Sequence, residues 1–354
     1  MIRYTIHIAL LLLLIMLQAH AQKKMDRVID LSGDWKFEIG DNPSWAKSDF
    51  DDTQWDEIRV PDFWENQGYP GYDGWAWYRS RFVLPSSMRN DALFLSLGNV
   101  DDVDEVYVNG QFFAFQGSPP PHYVSAYADP QWFYLPAEYL RFNGENVIAV
   151  RVYDNEMYGG IIRGPIGIYR ESGYLVPDQS LRGPWKLSTG DGPERARVSY
   201  DDRGWMTVLV PAYWETQGLR GYDGFGWYRR EFTLDPALRD QRLILLLGRI
   251  DDVDEVWVNG RSIGKTGRMP SEGNNFYNDD SYKQLRAYFI PPDLLRKDGG
   301  NVIAVRVYDG FMHGGIYEGP IGLVRQDRYR AWNKKHPQKK DSVIRDFFDA
   351  IFGR

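Results

Sequence analysis

The chain has 354 residues, a net charge of −7, 35 glycines, 20 prolines and no cysteine, and aromatic residues make up 15% of it. The negative balance argues against nucleic acid as a partner, and the missing cysteines exclude disulfides and a lipoprotein anchor, so large apolar cores must hold the fold. Length favours two domains of about 150 residues, and the wealth of Gly, Pro and aromatic residues favours short strands joined by turns over helices.

Taken from the N-terminus, Arg3 precedes an unbroken apolar run from Ile8 to Leu17, closed by Ala19-His20-Ala21. A basic start, a short apolar run and a small-residue site together predict a secretory signal peptide over residues 1–21, with a periplasmic or secreted mature chain. No later segment approaches the roughly 20 apolar residues that a transmembrane helix needs.

The rest of the chain repeats itself at a shift of 150 residues. Pro61 to Arg79 (PDFWENQGYPGYDGWAWYR) returns from Pro211 to Arg229 (PAYWETQGLRGYDGFGWYR) with 12 of 19 positions identical, and Gly98 to Gly110 returns from Gly248 to Gly260 with 10 of 13. The shift then grows to 155, where NVIAVRVYD matches in full from Asn146 and Asn301, and GGIIRGPIG from Gly159 is answered by GGIYEGPIG from Gly314. Two domains are expected, over 25–173 and 174–327. Residues 328–354 read as a basic linker and an amphipathic helix, N-capped near Asp341-Ser342 with Val343, Ile344, Phe347, Phe348, Ile351 and Phe352 on one stripe. A barrel-type hydrolase domain needs about 250 residues, so none is expected inside this sequence.

Within each copy, alternating Leu93, Leu95, Leu97 and Leu243, Leu245, Leu247 read as core strands, and Asn109-Gly110 and Asn259-Gly260 as tight hairpin turns. Turns recur at short intervals with no sustained helical period, which predicts an all-β fold of two tandem β-sandwiches of jelly-roll type.

The Gly-x-Trp openings, the Asp-Asp-x-x-Trp segments (Asp51, Asp52, Trp55; Asp201, Asp202, Trp205), the Val-Pro-x-x-Trp-Glu and Trp-Tyr-Arg segments, and Asp-Asp-x-x-Glu-Val-x-Val-Asn-Gly resemble the N-terminal sugar-binding jelly roll of family 2 glycoside hydrolases such as β-galactosidases. The resemblance implies a galactose-binding-like fold in both copies. It implies little about activity, because in that family the catalytic glutamates sit on a separate barrel. The expectation is an exported, non-catalytic carbohydrate-binding protein. The alternatives are an envelope scaffold that has lost sugar binding and docks a partner enzyme or envelope protein through its C-terminal helix, and a β-galactosidase-like glycosidase.

Sugar recognition needs aromatic faces and planar polar groups. Repeated residues of that kind are Trp64, Glu65, Gln67, Tyr72, Asp73, Trp77 and Arg79, answered by Trp214, Glu215, Gln217, Tyr222, Asp223, Trp227 and Arg229. Asp154 and Asp309, each followed by a loop ending in Gly-Gly, complete the expected ligand-binding set. Strand parity puts Trp77, Arg79 and Arg81 on the face away from the core, where the competing reading is a loop pinned to the sheet by Trp packing and an arginine bonded to carbonyls. Arg151 and Arg306 sit in otherwise apolar strands, and a charge so placed needs a partner, so structural pairs Asp104–Arg151 and Asp254–Arg306 are expected. Calcium at Asp101, Asp102, Asp104 and Glu105 is the weaker reading. The divergent stretches 111–133 and 261–288 are where any ligand specificity should differ. The histidines outside the signal, His122, His313 and His336, have no metal-ligand spacing, and no nucleophile elbow or phosphate loop is present.

Overall fold

The computed structural model describes residues 25–121, 123–127, 131–270 and 280–337. The expected signal segment and the expected helix around 341–352 lie outside these residues, as do parts of both divergent stretches.

The first copy forms β1 (Met25–Asp30), β2 (Gly33–Ile39), β3 (Asp56–Val60), β4 (Gly74–Val83), β5 (Leu93–Asp101), β6 (Val103–Val108), β7 (Gln111–Gln116), β8 (Gln131–Leu135), β9 (Glu145–Asp154) and β10 (Gly160–Glu171). These make a four-stranded sheet, β1-β10-β5-β8, facing a six-stranded sheet, β3-β2-β4-β9-β6-β7, with antiparallel pairing throughout. The second copy repeats the plan with β11 (Gln179–Ser180), β12 (Gly183–Thr189), β13 (Met206–Val210), β14 (Gly224–Thr233), β15 (Leu243–Asp251), β16 (Val253–Val258), β17 (Arg261–Thr266), β18 (Ala287–Ile290), β19 (Gly300–Asp309) and β20 (Gly315–Arg325). Its sheets run β11-β20-β15-β18 and β13-β12-β14-β19-β16-β17.

Period-two patterning places the cores. Trp35 and Phe37 on β2, Tyr78 on β4, the three alternating leucines of β5 and Val106 and Val108 on β6 meet between the two sheets, and the second domain packs the matching residues in a core of its own. Each fully buried side chain of this size contributes about 1.5–3 kcal/mol, so two such cores can dispense with disulfides. Both hairpins turn where expected: Asn109 and Gly110 hold φ of 52° and 82°, and Asn259 and Gly260 hold 49° and 81°, the pair of positive angles a type I′ turn requires.

The outer faces of β5 and β15 are also buried, by different means. Phe94 of β5 packs on Tyr134 and on Tyr174 of the interdomain linker. Ile244 and Leu246 of β15 pack on Leu175 of the same linker and on Tyr329 and Trp332. The last two belong to α1 (Gln326–Lys335), a helix occupying residues expected to be a linker. Arg328 of α1 bonds Asp178, and Trp332 Nε1 donates to Gly173 O, so helix, linker and second domain are tied together.

Candidate functional site

At one end of each sandwich, the repeated aromatic block meets the loop between the two long strands β9 and β10. Gly159 and Gly160 are required there by close approach: a Cβ at Gly159 would stand 2.2 Å from the Trp64 ring, and one at Gly160 would stand 2.6 Å from Tyr78 Oη. Trp64 N donates to Gly159 O at 3.2 Å, and Gly159 N donates to both Glu65 oxygens at 3.1 Å. The second domain repeats the clamp with Trp214, Gly314 and Glu215.

Behind the clamp lie three carboxylates. Asp101 ends β5, Asp102 follows it and Asp154 ends β9, and the register Gly160↔Asp101 draws them together, with ligand oxygens within 4.8 Å of one another. Asp251, Asp252 and Asp309 form the same group in the second domain. Asn155 N donates to Asp102 at 3.1 Å, and Gly310 N to Asp252 at 3.0 Å. Burial, reinforced by neighbouring Asp102 and Asp101, pushes the Asp154 carboxyl up to about 8, and burial with Asp102 raises Asp101 to about 7. In the second copy, burial lifts Asp251 to about 8, Asp309 to about 7 and Glu215 to about 7, while Glu65 is raised for the same reason. Asp73 and Asp223 are exposed on the rim and add to the negative field.

The rim is apolar and open. Met157 and Tyr158 are 75% and 53% exposed, and Phe311 and Met312 are 75% and 61% exposed; Met312 is the counterpart of Met157, while Phe311 stands where the first domain has Glu156. Met157 and Met312 hold φ of 79° and 74°, the left-handed conformation that non-glycine residues rarely adopt and that recurs at functional sites. Phe63 leans on Tyr158 at 5.3 Å, and Tyr213 lies between His313 at 5.1 Å and a stacked Tyr317 at 4.9 Å.

Several residues expected to bind ligand are instead interior. Trp64, Trp77, Arg79, Trp214 and Trp227 are fully buried and Arg229 is 2% exposed, so none offers a face to a sugar. Trp77 is stacked on Tyr107 at 5.5 Å and its Nε1 donates to Asp41 at 3.3 Å. Arg79 pairs with Asp52 at 2.7 Å and donates to Lys47 O at 3.0 Å and to Trp45 O. Arg229 does the same with Asp202 at 2.7 Å and with Arg195 O and Arg197 O. The pinned-loop reading therefore describes this face. Tyr72 and Tyr222 donate to Trp75 O at 2.6 Å and to Phe225 O at 2.8 Å. Gln67 and Gln217 clamp the backbone of Arg59 and Leu209 through both amide atoms, extending the β3 and β13 edges like an extra strand residue. Of the expected set, Glu65, Asp73 and Asp154, with Glu215, Asp223 and Asp309, converge on the acidic end.

The expected ion pairs are also corrected. Glu105 stands opposite Arg151 in the β6–β9 register, so Asp104, one residue away, points to the other face. Arg151 pairs with Asp41 at 2.8 Å through Nε and with Glu105 at 3.0 Å, lying 3.5 Å over the Trp75 ring. Arg306 likewise pairs with Asp191, and the buried Asp254 instead meets Arg286 at 2.7 Å and Tyr288. The four-carboxylate calcium set falls apart for the same parity reason: Glu105 serves Arg151 on one face, Asp104 is buried on the other, and Asp101 and Asp102 join Asp154. Sequence reasoning missed Asp52 and Asp202 as anchors, although each stands 27 residues before its arginine in both copies.

The chain is thus a tandem pair of β-sandwiches, each with the same acidic group at one end. Residues 40–157 match the family model of the β-galactosidase second all-β domain. A putative β-glucuronidase of Formosa agariphila is 28% identical over 135 residues, covering 35% of this chain and 12% of that protein. The β-galactosidase BoGH2A of Bacteroides ovatus is 28% identical over 155 residues, covering 40% of this chain and 17% of that protein. Among solved structures, a Bacteroides uniformis β-glucuronidase aligns with 85% of this chain and 28% of its own, at 17% identity and a TM-score of 0.35. The chain is thus related to the β-sandwich domains of family 2 glycoside hydrolases, and it spans well under a fifth of the length of these two curated relatives.

Proposed function

We propose that the protein is an exported, non-catalytic carbohydrate-binding protein that takes a glycan at the acidic end of each sandwich. The observation that supports this reading is the pairing, on the corresponding loop of both domains, of one exposed aromatic ring (Tyr158 just after Met157; Phe311 just before Met312) with carboxylates including Glu65 and Asp73 or Glu215 and Asp223. Rings suit the apolar face of a pyranose and carboxylates accept its hydroxyl protons. Asp73 or Asp223 on the rim sets a like charge against an anionic sugar even where the three inner aspartates are neutralised, so a neutral hexose such as the galactose released by the β-galactosidase relatives fits better than a uronic acid. Two linked weak sites gain avidity when they engage one polymer. Export rests on the N-terminal pattern of residues 3–21, and among the described residues no helix is long and apolar enough to cross a membrane.

Calorimetric titration with galacto-oligosaccharides and with glucuronides tests the reading. Neutral galactosides should bind, Tyr158→Ala and Phe311→Ala should each weaken binding about tenfold, a loss of roughly 1.4 kcal/mol, and chromogenic galactosides should stay uncleaved. No binding by the wild-type chain, or binding indifferent to both substitutions, removes the proposal.

A further inference from the structure

Asp154 has no hydrogen-bond partner on either carboxylate oxygen among the described residues, although its side chain is wholly buried. Its counterpart Asp309 is equally buried; Oδ1 accepts from Phe311 N at 3.2 Å and Oδ2 has no such partner. An acceptor shut away from water in this state costs free energy, more so when charged, and native proteins seldom keep one without a reason. Here the cost is incurred twice, at the same position of two domains whose intervening loops differ.

The surroundings deepen the problem. Asp154 faces Asp101 and Asp102, with Asp73 and Glu65 beyond; Asp309 faces Asp251 and Asp252, with Glu215 and Asp223 beyond. Arg163 tempers Asp101 and Arg286 tempers Asp251 from a distance, but Arg286 is committed to Asp254 at 2.7 Å. Backbone N–H groups of Asn155 and Gly310 serve one oxygen each of Asp102 and Asp252, and the Tyr123 hydroxyl also bonds Asp102, which fixes those carboxylates in place. Three oxygen donors within 4.8 Å of one another can share an ion whose bonds are about 2.4 Å long, the calcium–oxygen distance.

We infer that each sandwich holds a calcium ion between its three aspartates, Asp101, Asp102 and Asp154 in the first domain and Asp251, Asp252 and Asp309 in the second. The ion ties the end of β5 to the end of β9, and β15 to β19, directly beneath the clamped loops. It stands apart from glycan binding: the sites would fill in the absence of sugar.

The test is calorimetric titration of calcium chloride into the chelator-treated full chain, read beside thermal unfolding. The wild type should take up two equivalents and unfold at higher temperature with calcium. Asp154→Asn should take up one, Asp309→Asn one, and the double variant none, with its unfolding temperature indifferent to the ion. Two unfolding transitions retained in each single variant and in the double variant report that both domains are folded, so loss of a site is not confused with loss of structure. Failure of the wild type to take up calcium, two equivalents persisting in the double variant, or an unfolding temperature that follows pH but not calcium would each overturn the assignment, the last by showing that shared protons satisfy these carboxylates.

Discussion

At the residue scale the most consequential side chains are arginines held inside the protein. Arg79 is fully buried and Asp52 is its only acidic partner among the described residues, 2.7 Å away, while Arg81 also reaches Asp52 at 2.9 Å. Burial alone would push the Asp52 carboxyl up, but the bonds from Arg81 and Arg79 outweigh it and hold it below its ordinary value. Removing the carboxylate strands a charge inside, so Asp52→Ala should cost about 3–5 kcal/mol in urea unfolding. Asp202→Ala should cost less, because Asp202 is 19% exposed and position 231, the counterpart of Arg81, is a glutamate. Since the folded-state value of Asp52 is depressed, its contribution is present above the unfolded value near 3.8 and lost as pH falls through the lower, folded one. The acid limb of the stability curve should therefore flatten in Asp52→Asn. Little of this was legible in sequence: parity separated Trp77 and Arg79 from the core, yet a face turned from one core was covered by residues 41–55, which strand period cannot see.

At the scale of elements, the paired strands β5 and β15 are apolar on both faces, and what covers the second face differs. The β5 strand has the linker aromatic Tyr174, whereas β15 has α1, through Tyr329 and Trp332. The helix is an unexpected one: QDRYRAWNKK shows little apolar periodicity, and it is stabilised by the surface it covers rather than by its own sequence. Trp332→Ala should therefore lower stability by about 1–2 kcal/mol, a partial burial effect measurable by denaturant unfolding, and expose the β15 face to hydrophobic dyes. The Asn-Gly hairpins, by contrast, were readable because the required positive angles are a local property of two residues.

For the whole molecule, two separate cores predict two cooperative units. Arg286 of the buried Arg286–Asp254 pair is replaced in the first domain by Gln131, at the position matched by strand register. Arg286→Ala should thus lower one calorimetric transition, by roughly 10 °C for a loss of about 4 kcal/mol in a domain of this size, and leave the other in place.

By itself the sequence determined the duplication, the all-β class, the hairpins and the core strands, because these follow from periodicity and turn chemistry that act over a few residues. Only the tertiary structure decided which polar residues meet. It paired Arg151 with Asp41 and Arg286 with Asp254, buried the tryptophans expected at a surface, and gathered Asp101, Asp102 and Asp154 from two strands about 50 positions apart in the chain. Those outcomes depend on sheet register and on what lies across each face, and a one-residue change of register reverses every side chain.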